Sequence, residues 1–276
     1  MRPVILSPHE QHAKASATRF DDLAYMRHSF PALFAQYPHP KMSQQYGFTD
    51  TYHLLQHLRN RGYHVRTVQQ TGHGSFGKVL VRLSHPSLAS SDDGAAELVI
   101  IDSHDGSAAF KVWLGYLRFA CANGLILGDD VFVRSFKHTQ PDLVEQVILD
   151  LDEATGSSNN VLAYVGAMRE RILSMDAAVQ LSRDVASARF ALRPVEDEAE
   201  IARAGDGLLS TRRRLEDHGL DLFTVMNVVQ ENALRQGAYY TYQGRTIKVR
   251  TVANIQKQLE INKVAWNSAV RLLHEP

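Results

Sequence analysis

The fold is decided by two short runs of sequence, His64-Val65-Arg66-Thr67-Val68 and Lys78-Val79-Leu80-Val81-Arg82-Leu83. Apolar and polar side chains alternate in the first run, and the second run is mostly apolar with β-branched residues, as strands require. Glycines at positions 72, 74 and 77 lie between the two runs and indicate a turn. The sequence therefore predicts an antiparallel hairpin.

Two further apolar segments extend the predicted sheet. Residues 98–101 are short, apolar and β-branched, which favours a buried strand over a helix. The segment 108–137 contains Asn123-Gly124, a pair that tolerates positive φ and is typical of hairpin turns. We therefore expect strands near 109–121 and 125–136 joined by that turn. A helix over 111–122 that ends at Gly124 is the alternative.

Helices are predicted on both sides of these strands. Thr49 and Asp50 are suitable N-cap residues, and Gly62 is a suitable C-terminal stop, for a helix over about 51–61. After Pro141, apolar residues recur at helical spacing in four segments: 143–151, 161–172, 222–229 and 252–273. An antiparallel sheet with a preceding helix, followed by a helical C-terminal half, is an α+β architecture.

We divide the chain into three parts on this basis. Residues 1–45 are expected to be a loosely packed lead-in with one short helix near 21–28, and residues 46–140 form the α+β sheet region. Residues 141–276 form a helical region that packs on the sheet. We expect the parts to make one compact unit.

The overall composition is that of an ordinary globular protein. Apolar residues make up 44% and charged residues 22% of the 276 residues, which excludes wholesale disorder. The 30 basic residues equal the 30 acidic residues, so no global field attracts nucleic acid or membrane. The single Cys121 cannot form an intrachain disulfide, and we recognise neither a signal peptide nor a membrane-spanning run. We therefore expect a cytoplasmic protein without membrane attachment.

Charge is nevertheless distributed unevenly along the chain. Residues 51–85 contain five Lys or Arg, five His and no acidic residue, whereas residues 141–200 contain five Arg and twelve acidic residues. A solvated face is the simpler interpretation of such runs, and a surface for nucleic-acid phosphates is the sharper one. Tyr63 and Phe76 are candidates for stacking on bases. The cations expected to contact phosphates are Arg59, Arg61, Arg66, Lys78, Arg82, Lys111 and Arg118.

A cluster of chemically versatile residues, Asp102, His104 and Asp105, follows the predicted buried strand. On an extended chain Asp102 and His104 share a face, as two ligands of a metal would. Asp105-Gly106 is also typical of a plain turn, and this is the simpler interpretation. With Glu231 as a fourth candidate, the cluster forms the hypothetical centre of a metal-dependent hydrolase or nuclease. No cofactor is expected, because the glycine pattern at 72–77 lacks the features of a nucleotide-binding loop.

Three blocks of the chain, in order, carry a resemblance to a known family. The first joins 101–107 to 118–125, the second lies within 213–232, and the third is Ile261-Asn262-Lys263 with Trp266. These blocks resemble the phage- and plasmid-like family called domain of unknown function 932, or UPF0380. The motif positions are Ser103, His104, Asp105, Gly106, Ser107, Asn123, Gly124, Gln230, Glu231, Asn232, Asn262 and Lys263.

The resemblance covers residues from about 45 to 273 and implies a setting in phages, plasmids and integrated elements. It brings no assigned catalytic mechanism. The chain departs from the family pattern at Phe223, where relatives often have Trp, and at Gln236-Gly237, which replaces a Gly-Gly pair.

Three functional hypotheses follow. The order of elements is similar to that of single-strand annealing recombinases, so a single-stranded DNA-binding, annealing or recombination-related protein ranks first, with a homo-oligomer as its expected form. The metal-dependent hydrolase or nuclease ranks second. A non-enzymatic factor that binds a host protein through the acidic segment 141–200 ranks third. An enzyme is the less favoured class.

Overall fold

The computed structural model describes residues 20–72, 74–120, 123–126, 131–136, 143–242 and 245–275. The chain divides into two compact units. Unit 1 comprises Met1–Gly124 and Asp129–Leu162, and unit 2 comprises Leu125–Gly128 and Ala163–Pro276. The three-part division made from the sequence stays a prediction.

The first elements of unit 1 among the described residues are helix α1 (Leu23–Ser29), a 3₁₀ turn (Pro31–Phe34) and helix α2 (Thr51–Asn60). The Asp50 carboxylate caps α2 by accepting a hydrogen bond of 2.8 Å from the His53 N–H. Beyond the other end of α2, Gly62 has a φ of 91°, which only glycine adopts without strain. The helices predicted near 21–28 and over 51–61 are therefore confirmed.

The segment around the 3₁₀ turn is packed more closely than the sequence suggested. Ala32 and Leu33 are fully buried, and the Ala32 N–H donates to the Gln70 side chain at 3.0 Å. The expectation of loose packing is wrong for this part of the lead-in, because a short polar-poor stretch gives no local signal of the long-range contacts that bury it.

An antiparallel sheet forms the body of unit 1. Its strands are β1 (His64–Thr71), β2 (Lys78–Ser84), β3 (Gly94–Ser103), β4 (Phe110–Arg118), β5 (Asn123–Ile126) and β6 (Val133–Phe136). The spatial order is β1-β2-β3-β4-β5, and β6 also pairs with β4. The pairs β1–β2, β2–β3, β3–β4 and β4–β6 are antiparallel. The predicted hairpin and the predicted buried strand are both present, and every residue of β3 is buried.

The Asn123-Gly124 pair does not form the predicted turn, because both residues lie within β5. Gly124 instead leaves room for two charged side chains. The Arg82 guanidinium and the Glu97 carboxylate lie so close to Gly124 that an added Cβ would overlap the guanidinium and stand 2.8 Å from Glu97 Oε1. The alternative helix over 111–122 is also wrong, since β4 runs through it to Arg118.

The C-terminal half is helical, as predicted. Its helices are α3 (Leu143–Glu170), α4 (Met175–Phe190), α5 (Glu198–Ser210), α6 (Leu222–Leu234) and α7 (Ile255–His274), and the boundary between the units falls within α3. Ser174, Asp221 and Asn254 cap α4, α6 and α7 through their side chains. All thirteen residues of α6 are buried, so it is the central helix of unit 2.

A small antiparallel hairpin of β7 (Tyr239–Tyr242) and β8 (Arg245–Lys248) lies between α6 and α7 and was not predicted. The α+β class with a helical C-terminal half is confirmed. In the part of the chain that the structure describes, no helix has the length and apolar character needed to cross a membrane.

Candidate functional site

The first motif block places its polar side chains at the end of β3, against α2 and the 3₁₀ turn. The Thr51 hydroxyl donates to Asp102 Oδ2 at 2.6 Å and lies 3.3 Å from His104 Nε2. His104 Nε2 donates to the Ala32 carbonyl oxygen at 2.9 Å, since a carbonyl oxygen only accepts. Asp102 and His104 therefore do come together, as their spacing predicted, with Thr51 between them.

All three side chains of this Thr51–Asp102–His104 network have no exposed surface. His104 Nδ1 is also buried, and no described residue forms a hydrogen bond with it. A substrate in solution cannot reach these groups. What the network does is join α2, β3 and the 3₁₀ turn by satisfying polar groups inside the protein.

Asp105 and Gly106 form the turn that was the simpler interpretation of the sequence. Asp105 Oδ1 accepts from the Ser107 N–H at 2.9 Å, and Gly106 has a φ of 73°. Burial raises the pKa of the Asp105 carboxyl, but hydrogen bonds from the Ser107 hydroxyl and N–H and the charge of Lys41 outweigh it, so the net pKa is lowered. Asp105 is thus held as a carboxylate within its own turn.

Tyr46 closes the same end of the sheet. Its hydroxyl donates to the Ser103 carbonyl oxygen at 2.7 Å. Burial raises the pKa of the Tyr46 hydroxyl, and the charges of Asp102 and Asp105 raise it further. The hydroxyl therefore remains a donor, and it adds to the packing of the motif.

The fourth candidate ligand, Glu231, is held in unit 2 by an arginine. Arg214 donates to both Glu231 oxygens, at 2.7 and 2.8 Å. Within the described ranges, no group of three or more His, Cys, Asp or Glu side chains is placed to hold a metal ion. The geometry therefore adds no support to the hydrolase hypothesis built on Asp102, His104, Asp105 and Glu231.

The seven cations predicted to contact phosphates do not share one surface. Arg66, Arg82 and Arg118 are 5%, 7% and 3% exposed. Arg82 forms an ion pair with Glu97, which is itself 1% exposed. Burial lowers the pKa of Arg66, and the charge of Glu97 counteracts it. Glu97 gives Arg66 and Arg82 a buried counter-charge, and all three arginines are too buried to form an open phosphate-binding surface.

The other four cations lie at opposite ends of the sheet. In the sheet, Lys78 lies opposite Ser103 and Lys111 lies opposite Ile101, so both lysines are near the C-terminal end of β3. Burial lowers the pKa of the Lys78 amine, and the charge of Asp105 counteracts it. Arg59 and Arg61 are exposed and lie at the C-terminal end of α2, which leads to the opposite end of the sheet.

A cavity of about 340 Å³ opens beside Arg59 in unit 1. Arg59 forms an ion pair of 2.6 Å with Asp21, and both side chains are more than half exposed, at 61% and 52%. The polar residues that line the cavity, besides this pair, are His53, Gln56, His57, Asn60 and His64. Its aromatic lining residues are Phe20, Tyr52 and Tyr63.

The two aromatic residues proposed for base stacking have different surroundings. Tyr63 is 4% exposed and stacks on the His85 ring with the centroids 4.4 Å apart. Phe76 is half-buried and contacts the rings of Tyr37 and His39. Tyr63 is therefore too buried to act as a stacking platform, and Phe76 already packs against two rings.

The cavity also contains a histidine pair that the sequence analysis missed. The Nε2 atoms of His53 and His57 lie 3.1 Å apart on the exposed side of α2. Four residues separate them, which is the spacing that places two side chains on one face of a helix. That spacing, inside a helix already predicted from its caps, is the signal that would have revealed the pair.

Comparison with known proteins agrees with the resemblance seen in the sequence. Residues 38–266 match the family model described as Domain of unknown function (DUF932). The chain belongs to this family. It is 26% identical over 253 residues to UPF0380 protein YafZ of Escherichia coli K12, with 88% of each chain covered. It is 25% identical over 252 residues to UPF0380 protein YfjQ of the same strain, again with 88% of each covered. No solved structure matches the chain.

Three DUF932 motif residues of unit 2 form buried hydrogen bonds that connect its helices. Gln230 Nε2 donates to Asn262 Oδ1 at 2.7 Å and so links α6 to α7. Asn232 Oδ1 accepts from Arg213 at 3.0 Å, and its amide donates to the Leu208 and Thr211 carbonyl oxygens. Lys263 is exposed on α7. The buried members of the motif therefore fix the packing of helices, which is a common use of satisfied polar groups in a core.

Proposed function

We propose that this DUF932 protein binds single-stranded DNA in a recombination or annealing step of a mobile element. DNA contacts the end of unit 1 formed by Arg59, Arg61 and the adjoining cavity. We call this region the α2 surface. One observation carries the proposal. The elements α2, β1 and β2 contain no carboxylate, and two of their arginines stand exposed beside a cavity with aromatic and amide walls.

Each part of the α2 surface has a use in binding a single strand. Exposed arginines attract phosphates, and release of counter-ions makes that attraction favourable at low salt. The side-chain amides of Gln56 and Asn60 both donate and accept hydrogen bonds, as the edges of unpaired bases do. Tyr52 gives the cavity an aromatic wall.

Among the described residues, Asp21 is the one carboxylate that lines the cavity, and it pairs with Arg59. An ion pair this exposed contributes only about 0–1 kcal/mol. A DNA phosphate therefore replaces Asp21 on the guanidinium at little cost, and the pair does not block the surface.

The test is fluorescence anisotropy with labelled single-stranded and double-stranded oligonucleotides across a salt series. We expect preferential binding of single strands that weakens as salt rises. The Arg59→Ala/Arg61→Ala double variant should bind more weakly, and its log K against log[salt] slope should fall by about 1.4, because each lost phosphate contact on a single strand contributes about 0.7. Sizing of the complexes reports whether a homo-oligomer forms on DNA.

The matched control is Arg245→Ala/Lys248→Ala, which removes the same charge from two exposed residues of the β7–β8 hairpin in unit 2. It should leave the affinity and the slope close to those of the original protein. Absence of single-strand binding at low salt, or an equal loss in the two double variants, would refute the α2 surface as the binding site.

A further inference from the structure

We propose that His53 and His57 chelate a divalent transition-metal ion, Zn²⁺ or Cu²⁺, at the cavity of unit 1. The two Nε2 atoms converge on one another at 3.1 Å, with the ring planes at 90° and the ring centroids 4.5 Å apart. Both imidazoles line the cavity and both are exposed, so an ion has access to them from solution.

The distance fits the bite of a metal. Zinc binds histidine nitrogen at about 2.0–2.1 Å. Two nitrogens at that distance are about 2.9 Å apart when they subtend a right angle at the metal and about 3.3 Å apart at the tetrahedral angle. The observed 3.1 Å lies between these values. The helix therefore already holds the two ligands close to where a metal needs them, and little reorganisation opposes binding.

The pair has one competing explanation. Two neutral imidazoles also share a single proton, with one ring donating to the other. A divalent ion needs the lone pairs of both Nε2 atoms, so on metal binding the donating ring takes its other tautomer, with its proton on Nδ1, and no proton leaves the pair. The shared-proton explanation predicts no preference among metals, whereas imidazole pairs favour copper and zinc over magnesium and calcium.

The site is open. No third His, Cys, Asp or Glu of the described residues completes the set. The remaining positions fall to water or to a donor that enters the cavity, as in metal sites that bind a small molecule rather than fix a fold. Asp21 lines the same cavity but is paired with Arg59, so the bound ion would take an anionic oxygen donor from solution as its further ligand.

Isothermal titration calorimetry with zinc or copper chloride tests the proposal on the full chain without DNA. The chain has 13 histidines, so the variants have to identify the site. His53→Gln and His57→Gln should each weaken the tightest binding event at least tenfold, since even loss of a group that only orients a ligand costs 10–100-fold. His64→Gln is the matched control, because His64 lines the same cavity outside the pair, and it should keep the affinity.

A second measurement guards against misfolded variants. Both histidines are exposed, so each substitution should change the thermal midpoint little in the absence of metal. Zinc should raise the midpoint of the original chain and of His64→Gln, but not that of His53→Gln. Unchanged metal affinity in both His53→Gln and His57→Gln would overturn the metal site and would mean that the two histidines only share a proton. An equal loss in His64→Gln would overturn the two-histidine assignment.

Metal binding at His53 and His57 does not depend on DNA binding by the α2 surface. Arg59→Ala/Arg61→Ala should bind metal as the original chain does, because neither guanidinium is a metal ligand. If this variant loses DNA and retains metal, the two sites are separable. If single-stranded DNA never binds, the calorimetry still decides the metal site.

Discussion

Two of the arginine–carboxylate pairs in unit 1 differ in burial and therefore in what they do. The side chains of Arg82 and Glu97 are 8% and 2% exposed, whereas those of Arg59 and Asp21 are 61% and 52% exposed. The buried pair holds strands together, and each partner depends on the other for its counter-charge. The exposed pair contributes only about 0–1 kcal/mol, so little free energy opposes its separation. The same two residue types thus build a core in one place and a surface in the other.

Helix α2 repeats this contrast over two turns. Thr51 lies inside the protein with Asp102 and His104, while His53 and His57 lie on the exposed side. The family motif marks the buried cluster. The accessible polar groups of α2 lie in a segment that the motif does not include. The most recognisable residues of the family are therefore not the ones that a ligand can reach on this helix.

The largest expected effect comes from breaking the buried pair. Glu97→Ala leaves Arg82 and Arg66 buried without their counter-charge, and it should lower the free energy of unfolding of unit 1 by about 3–5 kcal/mol. The two tryptophans allow the units to be followed separately, because Trp113 lies in unit 1 and Trp266 in unit 2. Denaturation followed by Trp113 fluorescence in a Trp266→Phe background is the measurement.

The control for that experiment is Glu153→Ala. Glu153 is 56% exposed and pairs with Arg134, so its loss should cost about 0–1 kcal/mol. A cost for Glu97→Ala no larger than this would mean that the two arginines reach water when the glutamate is removed, and the contrast between the pairs would fail.

A smaller effect is expected from Thr51→Val, which keeps the shape of the side chain and removes its hydroxyl. Asp102 Oδ2 then loses a buried hydrogen bond, so unit 1 should be destabilised by about 1–3 kcal/mol in the same fluorescence assay. Thr51→Ser retains the hydroxyl and should recover most of that stability. No loss in Thr51→Val would mean that the hydroxyl adds nothing to the stability of unit 1, and a loss confined to Thr51→Ser would assign the effect of Thr51 to its methyl group.

The smallest effect on stability is expected from Asp21→Asn. The exposed pair with Arg59 contributes at most about 1 kcal/mol, so unfolding should change little. Single-stranded DNA should bind more tightly at low salt, because a negative charge leaves the α2 surface and Arg59 is freed for phosphate. Weaker binding in anisotropy would mean that Asp21 holds Arg59 in the productive position.

Local signals explain how much of this fold was predictable. Asp50 and Gly62 predicted the ends of α2, because capping residues act within a few positions of a helix end. The pattern of apolar and polar side chains predicted β1 and β2. The sequence also placed Asp102 and His104 together, since residues two apart on a strand share a face. It could not supply Thr51 and Ala32, which lie 51 and 72 residues from their hydrogen-bond partners.

The two clearest errors have one cause. Asn123-Gly124 was assigned to a turn and Arg82 to the surface, each from its residue type alone. In the structure Arg82 donates to the Gly124 carbonyl oxygen at 2.8 Å and pairs with Glu97. A glycine can allow another group to approach the backbone closely, as well as adopt a positive φ. An arginine can be buried where a buried carboxylate pairs with it. Only tertiary contacts distinguish these uses.

That contact also constrains how the chain can diverge. Residues 82, 97 and 124 share one small space, in which any side chain larger than glycine at 124 displaces the guanidinium. A larger residue at 124 therefore requires the Arg82 guanidinium to move, and a shorter residue at 82 would leave room for it. Across related chains, a bulky residue at the third position should accordingly occur together with a shorter residue at the first.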